Sequence, residues 1–173
     1  MKSPFPSLVR SSPPVIQQLD NAQADACAEL HSTAFAYSWG EHEFERLISA
    51  SNAVGDAALD PRRKNLVGFI LSRVAADEAE VLTVVVAPSH RKRGIGRQLV
   101  ESHLRRLRNM KVRALFLEVG ETNVAANKLY ANLGFAEVGR RKNYYRTAEP
   151  DKQIAALVLR RDLDPSQRRG WDA

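Results

Sequence analysis

One cysteine, Cys27, is present among 173 residues. A disulfide framework needs cysteines in pairs and a thiolate zinc site needs several, so neither is expected, and no metal is called for. No apolar run approaches the ~18 residues of a membrane-spanning helix. The stretch 1–14 has no apolar centre of the kind a secretory signal carries. A reducing cytoplasm, without membrane attachment, is the expected setting. Aromatic residues make up only 7% of the chain, which leaves little stacking surface for RNA, and no RNA-binding motif is visible. Two glycine-loop classes are also excluded. In Gly94-Ile95-Gly96 the third glycine of a dinucleotide fingerprint would fall on Leu99, and no Gly-Lys-Ser/Thr follows as a P-loop requires.

What is present suits one ordinary globular domain: 44% apolar and 27% charged residues are enough for a core and a solvated surface. The domain is expected over 15–163, between a loose serine- and proline-rich segment 1–14 and a polar tail 164–173. The formal net charge is +6, and cations cluster at 91–93, 105–113, 140–142, 160–161 and 168–169. Such runs fit an anionic partner, although a solvated basic surface is their commoner meaning.

Periodicity predicts a helix over 21–31, with Ala24, Cys27, Ala28 and His31 on one face. A second helix should start at Ser38, which has capping-box spacing to Glu41, with Phe44, Leu47 and Ile48 behind it. Residues 49–64, with Gly55 and Pro61, read as a long polar connection. Residues 66–74 and 80–87 read as strands of a hairpin. Ile95, Leu99, Leu104, Leu107 and Met110 make a helical stripe, and 114–119 returns to a strand, so a parallel crossover is expected. A helix over 123–133 places Ala125, Leu129 and Leu133 on one face, with Gly134 as its C-terminal cap. Strands over 136–146 and 153–163 finish the domain. The order is α/β with an antiparallel finish: a mixed central sheet flanked by helices.

The segment from Val81 to Gly96 runs a strand into a glycine loop that opens a helix. Val84, Val85 and Val86 favour extended chain, Pro88 ends the strand, and Gly94 and Gly96 allow close approach of backbone to a ligand. The first amides of the helix lack intrahelical partners and carry the positive end of its dipole. They could therefore hold a pyrophosphate, with Arg91, Lys92, Arg93 and Arg97 nearby.

Glu118 lies in the otherwise apolar run Leu115-Phe116-Leu117-Glu118-Val119. It could accept a proton from an incoming ammonium, or simply reach water or pair with an arginine. Tyr130 would be a core or boundary residue on its own. As a phenol of pKa about 10 it stays protonated at neutral pH and could donate to a departing thiolate, whose thiol has a pKa of about 8.5. Asn123 reads as a helix N-cap that could also lend its amide to a ligand.

The Arg-x-x-Gly-x-Gly loop between strand and helix resembles the coenzyme A loop of the GNAT acetyltransferases. From about residue 82 to 145 the chain looks like one branch of them, the RimI-type ribosomal-protein-alanine N-acetyltransferases. The resemblance rests on Leu117-Glu118-Val119, Asn123 with Ala125 and Ala126, Leu129-Tyr130, Leu133-Gly134-Phe135 and Arg140-Arg141-Lys142-Asn143-Tyr144-Tyr145. Upstream, Trp39, Glu41 and Phe44 match a segment that borders the peptide site of such enzymes. It implies the GNAT fold with a splayed acetyl-CoA cleft, and direct acetyl transfer from acetyl-CoA to the free α-amine of a protein N-terminus, first of all a ribosomal protein's alanine. Glu118 would be the base and Tyr130 the acid. Val84, Val85 and Val86 would pair with the pantetheine arm, while Lys92, Arg93, Gly94, Ile95, Gly96 and Arg97 would hold the pyrophosphate. Asn123 would touch the cofactor, and Trp39, Tyr144 and Tyr145 the substrate. The chain departs from the branch at Arg146, where proline is usual, and at Lys152 and Gln153, where acids are usual. Specific nucleic-acid binding is not expected, and the enzyme is expected to act as a monomer or weak dimer. Acetylation of a lysine or small-molecule amine is the alternative, and a non-enzymatic RNA-binding module a remote one.

Overall fold

The computed structural model describes residues 13–146 and 153–164, with the side chains of 142–146 and 153–154 outside that description. The expected loose segment and polar tail fall almost wholly outside the described residues, as do Lys152 and the side chains of Tyr144, Tyr145, Arg146 and Gln153. Four helices, α1 (Ala24–Ser32), α2 (Glu41–Ile48), α3 (Ile95–Asn109) and α4 (Val124–Asn132), pack on one seven-stranded sheet. Its strands are β1 (Val15–Gln18), β2 (Ala53–Leu59), β3 (Leu66–Ala75), β4 (Glu78–Val86), β5 (Ala114–Gly120), β6 (Ala136–Arg146) and β7 (Gln153–Asp162), in the spatial order β1-β2-β3-β4-β5-β7-β6. All neighbours are antiparallel except β4 and β5, which α3 joins by a crossover as parallel strands require. No helix among the described residues is long and apolar enough to cross a membrane.

Each face of the sheet has its own core. On one, Leu99, Leu104 and Leu107 of α3 and Tyr130 of α4 meet Leu115, Leu117 and Val119 of β5. On the other, Cys27 and Leu30 of α1 and Phe44 of α2 meet Phe69, Leu71 and Val85. Burying each such leucine or phenylalanine contributes roughly 1.5–3 kcal/mol. β3 is covered on both sides, with Val67 to Ser72 all buried, which explains its unbroken apolar reading. Burial also pushes the Cys27 thiol up to about 12, so it is an inert core residue.

The expected hairpin, crossover and closing strands are present, but four readings need correction. The second helix begins at Glu41 with Gly40 as its N-cap, not at Ser38. The Trp39 amide donates to Nδ1 of the buried His31 at 3.2 Å, which holds residues 38–40 out of helical geometry. The supposed connection 49–64 contains β2, and β1 pairs along it. Ala-Val-Gly-Asp-Ala-Ala-Leu has little β-branched character, and its strand state comes from its neighbours: Gly55 leaves room for Leu19, whose Cβ would lie 2.8 Å from an added Cβ. On α3, Met110 is 51% exposed at the helix end, and Val100 and His103 complete the buried face instead. On α4, Ala125 is exposed and Tyr130 points inward.

His103 belongs to a buried polar network that ties α3 to the sheet. Its Nδ1 lies 2.7 Å from Asp56 Oδ2 and its Nε2 2.7 Å from Ser72 Oγ, while Arg106 donates to Asp56 Oδ1 through Nη2 at 2.8 Å and Nε at 3.1 Å. With Arg106 on Asp56 Oδ1 and both His103 ring nitrogens partnered by Asp56 and Ser72, the buried groups satisfy one another.

Candidate active site

β4 and β5 pair only at Glu78↔Ala114, Ala79↔Leu115 and Glu80↔Phe116, then part. The opening is a cleft of about 410 Å³, walled by β4 from Val81, by β5 from Leu117 and by one side of α4. Its size suits a small ligand. β4 carries a one-residue bulge. Leu71 pairs with Thr83 but Ser72 with Val81, so Leu82 is the extra residue. A bulge bends its strand and raises the local twist, which helps β4 leave β5. Along the parted stretch the backbone groups facing the gap are open to a strand-like ligand.

At the end of β4 the chain makes a 3-10 turn at Pro88–His90 and then the loop. Lys92 (φ 61°) and Gly94 (φ 78°) are both left-handed, and α3 begins at Ile95. Among the described residues, no protein acceptor takes the amides of Lys92 to Arg97, so a row of donors lies at the positive end of the helix. The predicted loop residues differ in what they offer. Arg91 Nε donates to Val86 O at 3.1 Å and so holds the loop to the strand end, and Arg97 pairs with Glu101 at 3.2 Å. Lys92 and Arg93 are exposed. Ile95 is 3% exposed, so only its backbone is available. An added Cβ on Gly96 would stand 3.4 Å from Leu129 Cδ2, so the small residue permits the close approach of α3 to α4. Of the three valines, Val84 and Val86 line the cleft, whereas the Val85 side chain is buried in the α1–α2 core and leaves only its backbone.

Glu118 and Tyr130 both line the cleft and reach it from opposite faces of the sheet. Side chains alternate along β5. Leu117 and Val119 share the core of Tyr130, so Glu118 and Phe116 face the α1–α2 side. A group threaded between the parted strands would have a carboxylate on one flank and a phenol on the other. The Glu118 side chain is 17% exposed and its Oε1 lies 2.8 Å from Arg141 Nε, so the arginine pair foreseen as its competing reading does form. Tyr130 is 7% exposed and its ring meets Phe135 edge-on, with centroids 5.5 Å apart. Asn123 caps α4, its Oδ1 accepting from the Ala126 amide at 3.2 Å.

Trp39 stacks on His31 with centroids 4.9 Å apart, and His31 stacks in turn on Phe35 at 4.3 Å. Burial holds the His31 imidazole below its usual range. Trp39 therefore supports the mouth through His31, while Phe35 is the member of this stack that lines the cleft. Tyr144 and Tyr145 lie in β6 next to a register jump after Arg141; their side chains are outside the described residues.

Two lining residues, Phe35 and Thr83, and one residue beside the cleft, Asn127, were not singled out by the sequence reading. Phe35 has no helical or strand period to mark it. Asn127 donates from Nδ2 to Gly120 O and Glu121 O, both at 3.2 Å, and so ties the end of β5 to α4, a contact no local pattern announces. Thr83 did leave a signal, as the one hydroxyl in Val81-Leu82-Thr83-Val84-Val85-Val86.

Comparison with known proteins agrees with this geometry. The family model described as Acetyltransferase (GNAT) family matches residues 24–135. The chain is 33% identical over 147 residues to the [Ribosomal protein bS18]-alanine N-acetyltransferase of Escherichia coli, covering 83% of this chain and 95% of that protein. It is 36% identical over 165 residues to the N-alpha-acetyltransferase RimI of Mycobacterium tuberculosis, covering 90% and 98%. The crystal structure of the ribosomal-protein-S18-alanine N-acetyltransferase from Escherichia coli superposes with a TM-score of 0.81 at 26% identity, over 91% of this chain and 99% of that one.

Proposed function

The chain belongs to the GNAT acetyltransferase family and is an N-acetyltransferase, and from that premise we propose that it moves acetyl from acetyl-CoA to the free α-amine of a protein N-terminus, with the alanine of a ribosomal S18 protein as first candidate. The observation that carries the reading is the parting of β4 from β5 between Glu118 and Tyr130. The residues present fit acetyl-CoA: open strand edges from Val84 to Val86 for the pantetheine amides, and the amides of Lys92 to Arg97, with Lys92 and Arg93, for the pyrophosphate. When bound, acetyl-CoA supplies the activated acetyl thioester.

Glu118 accepts a proton from the acceptor ammonium, directly or through water. Its pairing with Arg141 holds the carboxylate in place for that task. An α-amine, with a pKa near 8, needs less help to lose its proton than a lysine near 10.4, which favours N-termini. Tyr130, held by Phe135, donates its phenolic proton to the departing sulfur. Asn123 caps α4 and Asn127 ties that helix to the end of β5, which sets the distance between acid and base.

The test is mass spectrometry of short peptides with free N-terminal alanine, serine or methionine, beside an N-terminally blocked lysine peptide. Modification of α-amines is expected. Glu118→Gln and Tyr130→Phe should each lower kcat by about 10²–10⁴-fold, the usual worth of a positioned acid or base. Full turnover by both variants would refute the roles, and transfer to lysine alone would refute the acceptor.

A further inference from the structure

Thr83 is 5% exposed, lines the cleft, and its Oγ1 has no hydrogen-bond partner among the described residues. A buried hydroxyl left unpaired costs about 1–3 kcal/mol, and a valine of the same shape would avoid that cost. Every other side chain from Val81 to Val86 is already aliphatic. The hydroxyl thus stands where the fold itself gains nothing from it.

The bulge decides what Thr83 faces. Glu80 and Phe116 are the last paired residues of β4 and β5. Two residues further on β5 is Glu118; on β4, with Leu82 inserted, the matching position is Thr83. The same insertion resets the alternation of β4. Thr83 therefore shares a face with Val85, on the α1–α2 side where Glu118 also projects. Thr83 and Glu118 look at each other's side of the open gap, on the flank away from Tyr130.

We propose that Thr83 Oγ1 is the second polar contact of the acceptor amine, accepting a hydrogen bond from the nitrogen while Glu118 takes its proton; this rests on the acetyl-transfer reading of the cleft. A neutral amine has two N–H groups and one lone pair. Holding one N–H at Thr83 and directing the other to Glu118 leaves the lone pair aimed at the thioester carbon. Once Glu118 has passed the ammonium proton on to water, the C–N bond forms as the C–S bond breaks, the second nitrogen proton passes to Glu118, and the sulfur takes the Tyr130 proton, which solvent replaces. Thr83 transfers no proton. It is a positioning contact on the nucleophile, made at the acceptor and not at the donor.

Thr83→Val, Thr83→Ser and the wild type separate the possibilities. For Thr83→Val, kcat/KM for the peptide is expected to fall about 10–100-fold, as for a hydrogen bond to a group gaining charge. KM for acetyl-CoA should stay unchanged and Tm should hold or rise, because an unpaired hydroxyl has been removed. Thr83→Ser should restore most of the turnover. Full activity in Thr83→Val would overturn the proposal. So would a loss confined to KM for acetyl-CoA, or a fall in Tm that tracks the fall in rate. Wild-type enzyme that acetylates no α-amine would instead refute the acetyl-transfer reading itself.

Discussion

Replacing Asp56 with alanine should be the most destabilising single change in the network beneath α3. The carboxylate is fully buried, accepts from Arg106 at 2.8 and 3.1 Å, and lies 2.7 Å from the His103 ring nitrogen. Burial pushes this carboxyl up, but the hydrogen bonds from His103 and Arg106 outweigh it and hold it below the ordinary carboxylate range. A hydrogen bond to a buried charge contributes about 1.5–3 kcal/mol. The Arg106 side chain is 32% exposed and regains water once released, so the three bonds do not simply add. Breaking a buried charged pair by removing one partner gives a loss of about 3–5 kcal/mol. For a chain of this length each kcal/mol moves Tm by roughly 2–4 °C, so the expected drop is roughly 6–20 °C. Urea and thermal unfolding at pH 7, followed by circular dichroism, measure it. The pH dependence follows from the direction of the shift. With a folded value below the unfolded one near 3.9, the contribution is whole at neutral pH and is lost only as pH falls through the folded value. The deficit of Asp56→Ala against wild type should therefore persist to pH 5 and shrink only in stronger acid. A loss under about 1 kcal/mol, or a deficit that vanishes between pH 7 and 5, would refute this account of the network.

Gly94→Ala should cost about 1–2 kcal/mol because the residue sits at φ 78°, although an added Cβ would meet nothing closer than Gln98 Nε2 at 4.0 Å. Relief of that strain would re-aim the loop amides, so acetyl-CoA affinity by calorimetry should fall with it; unchanged affinity would show that the loop conformation is unimportant. His31 is buried and neutral, accepting the Trp39 amide at Nδ1, with its value held below the usual 6.5. Its contribution is present above the unfolded value and is lost as pH falls through the folded one, so the Trp39 stack should loosen in acid. Fluorescence of Trp39 in a Trp171→Phe background, titrated from pH 7.5 to 4.5, checks this, and a flat trace would oppose it.

Much of the site was legible locally, since its signals are short-range. A valine run stopped by Pro88, two glycines opening a helix, an N-cap at Asn123 and a lone acid in an apolar strand each follow from backbone freedom or side-chain type within a few residues. Those features are all present in the structure, and Glu118 and Tyr130 reach the same cleft. The failures share a cause. β2 reads as loop because Gly55 and Asp56 break its pattern, and the groups that make them fit, Leu19, His103 and Arg106, lie far along the chain.

The residues by themselves determined the order of elements from β3 onward, the helix start with its unpaired amides and the residue types proposed as acid and base, because periodicity, capping and side-chain chemistry are properties of short segments. Only the tertiary structure decided where β4 leaves β5, that the bulge at Leu82 puts Thr83 on the same face of the sheet as Glu118, and that Arg141 reaches that carboxylate. Register, strand separation and pairing across the sheet depend on how distant segments pack, and no local pattern contains that information.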